Sequence, residues 1–275
     1  MLAIFAYTLK RLRSQILGWG ISFGLITVYL MAIYNPMIEQ QAEVVALFNA
    51  YGEVMLAFFG GGLDFLSPAG YLDFALFSYV PVIAGIFAVL IGSGLLATDE
   101  EKGRLDLLLA YPVSRSAIFW GRFLAFAAAT VAILACTWLG FVAGLPLVDW
   151  DVSVLALALP HLSLLAVLLL FGAIALLLSL LLPSRTVAAS VAGGLLVANY
   201  LITSLARINE LLKPLDAVLP LKYYQGGSAL DGLNILPFAV LLGATVLLAA
   251  LAWLLFTRRD IRVSGEGSWK VPFSR

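Results

Sequence analysis

Residues 98–123 read TDEEKGRLDLLLAYPVSRSAIFWGRF, from Thr98 to Phe123, and form the one strongly charged, regularly spaced segment between two long apolar runs. Glu100, Glu101, Lys102, Arg104 and Asp106 crowd its start, while Leu105, Leu108 and Leu109 recur at i, i+3 and i+4. That spacing predicts a short amphipathic helix lying beside a bilayer and ended by Pro112. Glu100 and Arg104 stand four apart in the order that favours a helical ion pair, which is worth only about 0.2–0.5 kcal/mol on an exposed helix. Gly103 offers either close approach to another backbone or an end to the preceding helix, and Ser114 or Ser116 can cap the next one.

Outside this segment the chain is mostly apolar. Hydrophobic residues make up 63% and charged residues 12% of the 275 positions, with a mean hydropathy of +1.04. Such values exclude an ordinary soluble globule and predict an all-α integral membrane protein. The 16 basic and 16 acidic residues cancel, so net charge gives no reason to expect nucleic acid, and the information lies in where each sign sits. A single cysteine, Cys136, excludes an intrachain disulfide and lacks zinc-type spacing. It reads as a small hydrophobe within a span.

Met1 to Ser14 sets Leu2, Phe5, Ala6, Leu9 and Leu12 against Lys10, Arg11 and Ser14, the pattern of an amphipathic interfacial helix; Arg13 adds a third cation. Six spans are expected at 16–34, 72–97, 123–148, 154–182, 187–205 and 236–256, each near the roughly 20 residues a bilayer requires. The first is too long for a signal-peptide core and ends in Asn35-Pro36 rather than a cleavage site. The second contains Pro81, read as a kink. Between them, Asn35 to Tyr71 carries Glu39, Glu43, Glu53 and Asp64 with no Lys or Arg, and Gly60, Gly61 and Gly62 interrupt any helix. Gly20 and Gly24, like Gly140 and Gly144, form G-x-x-x-G pairs that suit packing within one subunit at least as well as dimerisation. Leu211 to Leu221 is too short to cross and reads as re-entrant or interfacial, with Tyr223 and Tyr224 at headgroup level.

An even number of spans puts both termini on one side, and the charges fit. Of 16 basic residues, 13 fall in segments on that side, namely Lys10, Arg11, Arg13, Lys102, Arg104, Arg115, Arg122, Arg185, Arg258, Arg259, Arg262, Lys270 and Arg275. Arg207, Lys213 and Lys222 share the one exception. Positive loops favour the cytoplasm, so both termini and the opening segment are expected there. Asp149 and Asp151 mark a short outer loop.

The spans carry no charged residue between their ends, and His161 falls near the outer end of the fourth, where it reads as an interfacial polar residue bonded to water or a loop. Ion-coupled transporters place ionisable groups at depth, which lowers that reading, although backbone carbonyls can also bind sodium. Neither a nucleophile with a base nor a carboxylate pair is visible at depth, and no G-x-x-x-x-G-K-[ST] phosphate loop occurs. No enzymatic site, metal site or cofactor is expected in this chain. If it moves a substrate uphill, the energy must come from a partner. The few polar groups in the spans, such as Asn199 and Thr203, read as helix-packing residues, and the substrate is unspecified.

The stretch from Ser67 to Arg122 resembles the central part of ABC-2 type transporter permeases: an acidic pair (Glu100-Glu101), Gly103, a leucine run from Leu105 to Leu109, and Pro112-Val-Ser-Arg115. The basic amphipathic N-terminus, the six-span layout and the PLKYY loop before the last span are also similar. The resemblance implies a single-domain permease, residues 1–275, of an ATP-driven exporter. Two copies, or one and a relative, would associate with two ATP-binding cassette ATPase subunits that hold ATP and Mg. The N-terminal helix (Lys10, Arg11, Arg13) and a cytoplasmic coupling helix between spans 2 and 3 (Glu100, Glu101, Gly103, Arg104, Leu105, Leu108, Pro112, Ser114, Arg115) would seat on those ATPases. The expected location is the plasma membrane of a bacterium or archaeon. Open beside this stand a non-transporting docking or sensor subunit and an ion-coupled secondary transporter.

Overall fold

A computed structural model describes residues 1–59, 67–105, 108 and 110–258. Gly60, Gly61, Gly62, Asp64, Asp106, Leu109, Arg259, Arg262, Lys270 and Arg275 lie outside the described residues. The helices are α1 (Leu2–Glu39), α2 (Gln41–Phe58), α3 (Pro68–Leu72), α4 (Val80–Glu101), α5 (Arg115–Gly144), α6 (Ala158–Leu181), α7 (Arg185–Leu205), α8 (Lys213–Asp216) and α9 (Ile235–Arg258). Among the described residues there is no strand. Six helices, α1, α4, α5, α6, α7 and α9, are long and apolar enough to cross a bilayer, and the protein is an all-α integral membrane protein.

The expected interfacial helix and first span form one 38-residue helix, α1. At about 1.5 Å per residue it outreaches a hydrocarbon core of roughly 30 Å. A single buried stripe explains the continuity: Thr8, Leu12, Gly20, Phe23, Thr27, Met31 and Tyr34 recur at helical spacing across both pieces, and α1 packs chiefly on α5 along it. Pro36 does not end the helix, which runs three residues further. The acidic loop that follows is itself helical as α2. Pro81 stands in the first turn of α4, where a missing N–H costs nothing, so it starts that helix rather than kinking it. Before it, Ser67 caps α3 by accepting the Gly70 N–H at 3.1 Å, and one π turn, Asp73–Phe77, follows.

In lipid, water does not drive helices together, so close backbone approach matters more than greasiness. The two G-x-x-x-G pairs meet each other within the chain. A Cβ on Gly140 would strike the Gly24 carbonyl and the Thr27 hydroxyl, one on Gly144 would strike Met31, and one on Gly20 would sit 3.1 Å from Cys136 Sγ. Thr27 Oγ1 donates to Thr137 O at 3.1 Å across the same seam. A second seam joins α4 to α6, where Gly92 faces the Gly172 backbone. The apolar stretches of α4 and α6 are 72% and 67% buried, whereas those of α1, α7 and α9 are 22% buried; the former make the centre and the latter the periphery.

At the end of the bundle away from the N-terminus, Asp73 Oδ1 accepts the Gly227 N–H at 2.6 Å. Gly226 has φ +52° and its Cβ position is blocked by that carboxylate, so the segment before α9 docks only with glycines there. Asn199 accepts the Leu221 N–H and donates to Thr203, both at 3.1 Å, a fastening role for both. Tyr223 donates to Ala217 O at 2.9 Å, but Tyr224 turns inward with its hydroxyl sealed off, unlike the expected headgroup position. His161 is likewise buried, edge-on to Phe77 and Phe141, with Nδ1 2.8 Å from Leu157 O. The apolar ring face suits the packed interior better than an interface.

Gly140→Ala forces the α1–α5 seam apart and should cost about 1–3 kcal/mol, the usual range for overpacking. Gly193→Ala, where nothing lies within 4 Å, should leave the midpoint of thermal unfolding in detergent unchanged or slightly raised. Equal midpoints for the two variants would contradict the seam.

Candidate functional site

The opening segment 98–123 falls at the end of the bundle that carries the N-terminus, where most of the basic residues sit. Here α4 ends because Gly103 adopts φ +63°. Gly103 N–H donates to Glu100 O at 3.0 Å and Arg104 N–H to Asp99 O at 2.8 Å, the paired bonds of a Schellman ending. A side chain at 103 would be strained in this left-handed conformation. Glu100 and Arg104 are therefore separated by a chain reversal and do not share a helical face, which corrects the expected i, i+4 pair.

This ending leaves Asp99, Glu100 and Glu101 in the last turn of α4, where the helix dipole disfavours negative charge. Cations and a second helix end compensate. Asp99 Oδ2 accepts from Arg122 Nη2 at 2.7 Å, with both side chains 5% exposed. Arg11 Nη1 approaches the same carboxylate at 3.2 and 3.4 Å. The other arm of the Arg122 guanidinium donates to Leu95 O. One carboxylate thus ties α1, α4 and α5. Glu101 Oε1 accepts the backbone N–H of Arg185 at 2.7 Å, so it serves the positive N-terminus of α7, which Ser184 caps at Val187.

Beyond the reversal, Leu105 and Leu108 are helical, with Leu108 N–H donating to Arg104 O at 3.2 Å. Leu105 is fully buried against the bundle and Leu108 partly so. Arg104, Tyr111 and Pro112 stand exposed, Tyr111 at 68%. Ser114, not Ser116, caps α5 by accepting the Ala117 N–H at 3.2 Å. Ser116 instead accepts Trp253 Nε1–H at 2.9 Å. Arg115 Nη1 lies 3.4 Å from the carbonyls of Phe256 and Thr257, a cation at the negative end of α9. Lys10, Arg11 and Arg13 are all exposed on α1, Arg11 with its guanidinium bent to Asp99.

The residues expected to form one outward handle therefore divide. Glu100, Leu105 and Arg115 are engaged within the chain; Lys10, Arg13, Arg104, Pro112 and Ser114 face out. Asp99, Arg185 and Tyr111 were not singled out by the sequence. Asp99 is the first of three consecutive acidic residues, and nothing local sets it apart from Glu100 and Glu101.

Asp99→Asn leaves the Arg122 guanidinium buried beside a neutral group and should destabilise the fold by about 3–5 kcal/mol, the range for breaking a buried pair. Asp99→Leu combined with Arg122→Met removes both charges and should recover most of that loss in thermal unfolding followed by tryptophan fluorescence.

No curated protein matches the chain. A family model described as ABC-2 family transporter protein matches residues 2–261. That span takes in all six apolar helices and the clamped connection between α4 and α5 alike. The chain belongs to the ABC-2 family of transporter proteins and is an integral membrane permease of an ABC transporter.

Proposed function

We propose that this permease works as the dimeric membrane part of an ATP-driven exporter, and that the connection between α4 and α5 is where two separate ATPase subunits seat. The observation that carries the reading is the rigid attachment of that connection. It is held by the Gly103 reversal on one side and the Ser114 cap on the other, and Asp99 joins both flanking helices to α1. A push on Arg104, Tyr111 or Pro112 is then passed to three spans, where a slack loop would absorb it. ATP and Mg belong to the partner subunits.

Both termini and the α4–α5 connection face the cytoplasm in this reading, since Lys and Arg concentrate at that end. The peripheral α1, α7 and α9 present apolar faces to lipid and to a second copy or a relative, with the translocation path at or near that junction. Tyr111, a large exposed aromatic on a clamped segment, has the character of an interface anchor. Glu100, Glu101, Gly103, Leu105, Leu108, Ser114 and Arg115 hold the handle in shape, and Lys10, Arg11 and Arg13 extend it along α1.

Affinity purification from native membranes with identification of the retained subunits tests this directly. An ATP-binding cassette ATPase should accompany the wild type, and Arg104→Glu together with Tyr111→Ala should lower its retention at least tenfold, about 1.4 kcal/mol. Lys213→Glu, at the other end, should leave retention unchanged. Full retention in the Arg104/Tyr111 variant would refute the assignment.

A further inference from the structure

A cleft of about 240 Å³ opens between α1, α4 and the start of α7. Arg11, Lys102, Arg122 and Arg185 line it, and among the described residues no acidic side chain does. Two of these cations are answered by Asp99. The side chains of Lys102 and Arg185 form no ion pair among the described residues. Glu101 is outside the lining, with Oε1 accepting the backbone N–H of Arg185, and Glu100 is buried away from it. The cleft therefore holds a surplus of positive charge with open donors.

The Arg185 side chain reaches the cleft because Gly94 makes room for it: a Cβ at 94 would lie 2.9 Å from Arg185 Nε. From there Nη2 donates to Leu90 O at 3.1 Å, leaving further N–H groups of the fork for a ligand. Tyr7, Thr8 and Gln15 of α1 and Thr98 of α4 add polar groups to the wall.

The position relative to the bilayer is set by α1. Gln15 to Tyr34 is uncharged and matches the roughly 20 residues of a hydrocarbon core, so Arg11 stands one turn beyond it, at headgroup depth. Below the cleft, the same face of α4 turns apolar and open, with Leu90 45%, Ile86 48% and Ile83 39% exposed. Read along the helix, that face runs from an apolar stripe inside the core to Gly94, Thr98 and the cations at its edge.

We propose that this cleft binds an anionic phospholipid, with the phosphate between Lys102, Arg185 and the open side of Arg11, and an acyl chain along Ile83, Ile86 and Leu90. Basic pockets between membrane helices on the positive side take such headgroups, and a guanidinium fork matches phosphate geometry. Inorganic phosphate shares the headgroup chemistry, but the apolar stripe continuing from the cleft favours the lipid. The inference depends on the protein's place in the bilayer and not on where ATPases dock.

The full-length protein, delipidated in detergent, is titrated with phosphatidylglycerol and followed by native mass spectrometry, with phosphatidylcholine and inorganic phosphate in parallel. Wild type should bind phosphatidylglycerol at least tenfold tighter than either comparison. Lys102→Gln with Arg185→Gln should remove that advantage, and Ile86→Gln should weaken the lipid without changing phosphate. Lys102→Gln alone, at an exposed and unpaired position, should lower affinity at least threefold and serves if the double variant does not fold. Lys213→Gln at the far end should change nothing. Unaltered phosphatidylglycerol binding in the Lys102 variants would overturn the proposal. So would equal binding of phosphatidylcholine, which makes the contact merely apolar, or of inorganic phosphate, which makes it a free-anion site.

Discussion

One carboxylate shared by two guanidinium groups holds the basic end of this protein together. Asp99 sits where a helix least wants negative charge, in the last turn of α4, and it is almost wholly removed from solvent. Neither condition is tolerable alone, because a buried unpaired carboxylate is strongly disfavoured. Arg122 supplies a short, buried partner and Arg11 a longer, half-exposed one. Since the three residues come from three helices, satisfying one charge fixes three helices to one another at once. The Gly103 reversal depends on the same turn, for its second bond ends on the Asp99 carbonyl. Charge and backbone geometry are thus solved at a single residue.

Away from that end, packing rests on small residues. Gly24, Gly140 and Gly144 let α1 and α5 touch, and Gly92 and Gly172 do the same for α4 and α6. In a bilayer such approach is what replaces the hydrophobic drive, because leucine gains nothing by leaving lipid for leucine. The leucine-rich faces accordingly end up outside: Leu17, Ile21 and Leu25 of α1 and Val187, Val191 and Leu195 of α7 are exposed. Hydrophobicity selects the membrane and glycine selects the neighbours.

The six helices were legible because a bilayer imposes a length and a polarity that one chain segment must meet by itself. The Asp99 cluster was not, since it joins residues 11, 99 and 122, and only the positions of the helices make them neighbours. The same reason hid the Glu101–Arg185 contact and the burial of His161. Local features failed differently. The segment 41–58 carries glutamates and follows Pro36, yet it folds as a helix, with Glu43 in the first turn where the helix dipole favours negative charge. Pro81 was misplaced by one reading of a residue that both starts and bends helices. The leucine spacing at 105 and 108 pointed correctly to helix, but Gly103 divides the charged segment that the spacing had treated as continuous.

The two ends of the bundle are fastened by a different balance of forces. At the basic end the fasteners are charges on long side chains: Arg11 spans from α1 to Asp99, and Arg115 reaches the last carbonyls of α9. At the other end Arg207 reaches Ala57 O, but the segment before α9 is fastened by backbone groups in tight places, with Gly227 N–H on Asp73 and Leu221 N–H on Asn199, and no side chain fits at Gly226. The basic end therefore owes its cohesion chiefly to charge, and the opposite end chiefly to close backbone fit.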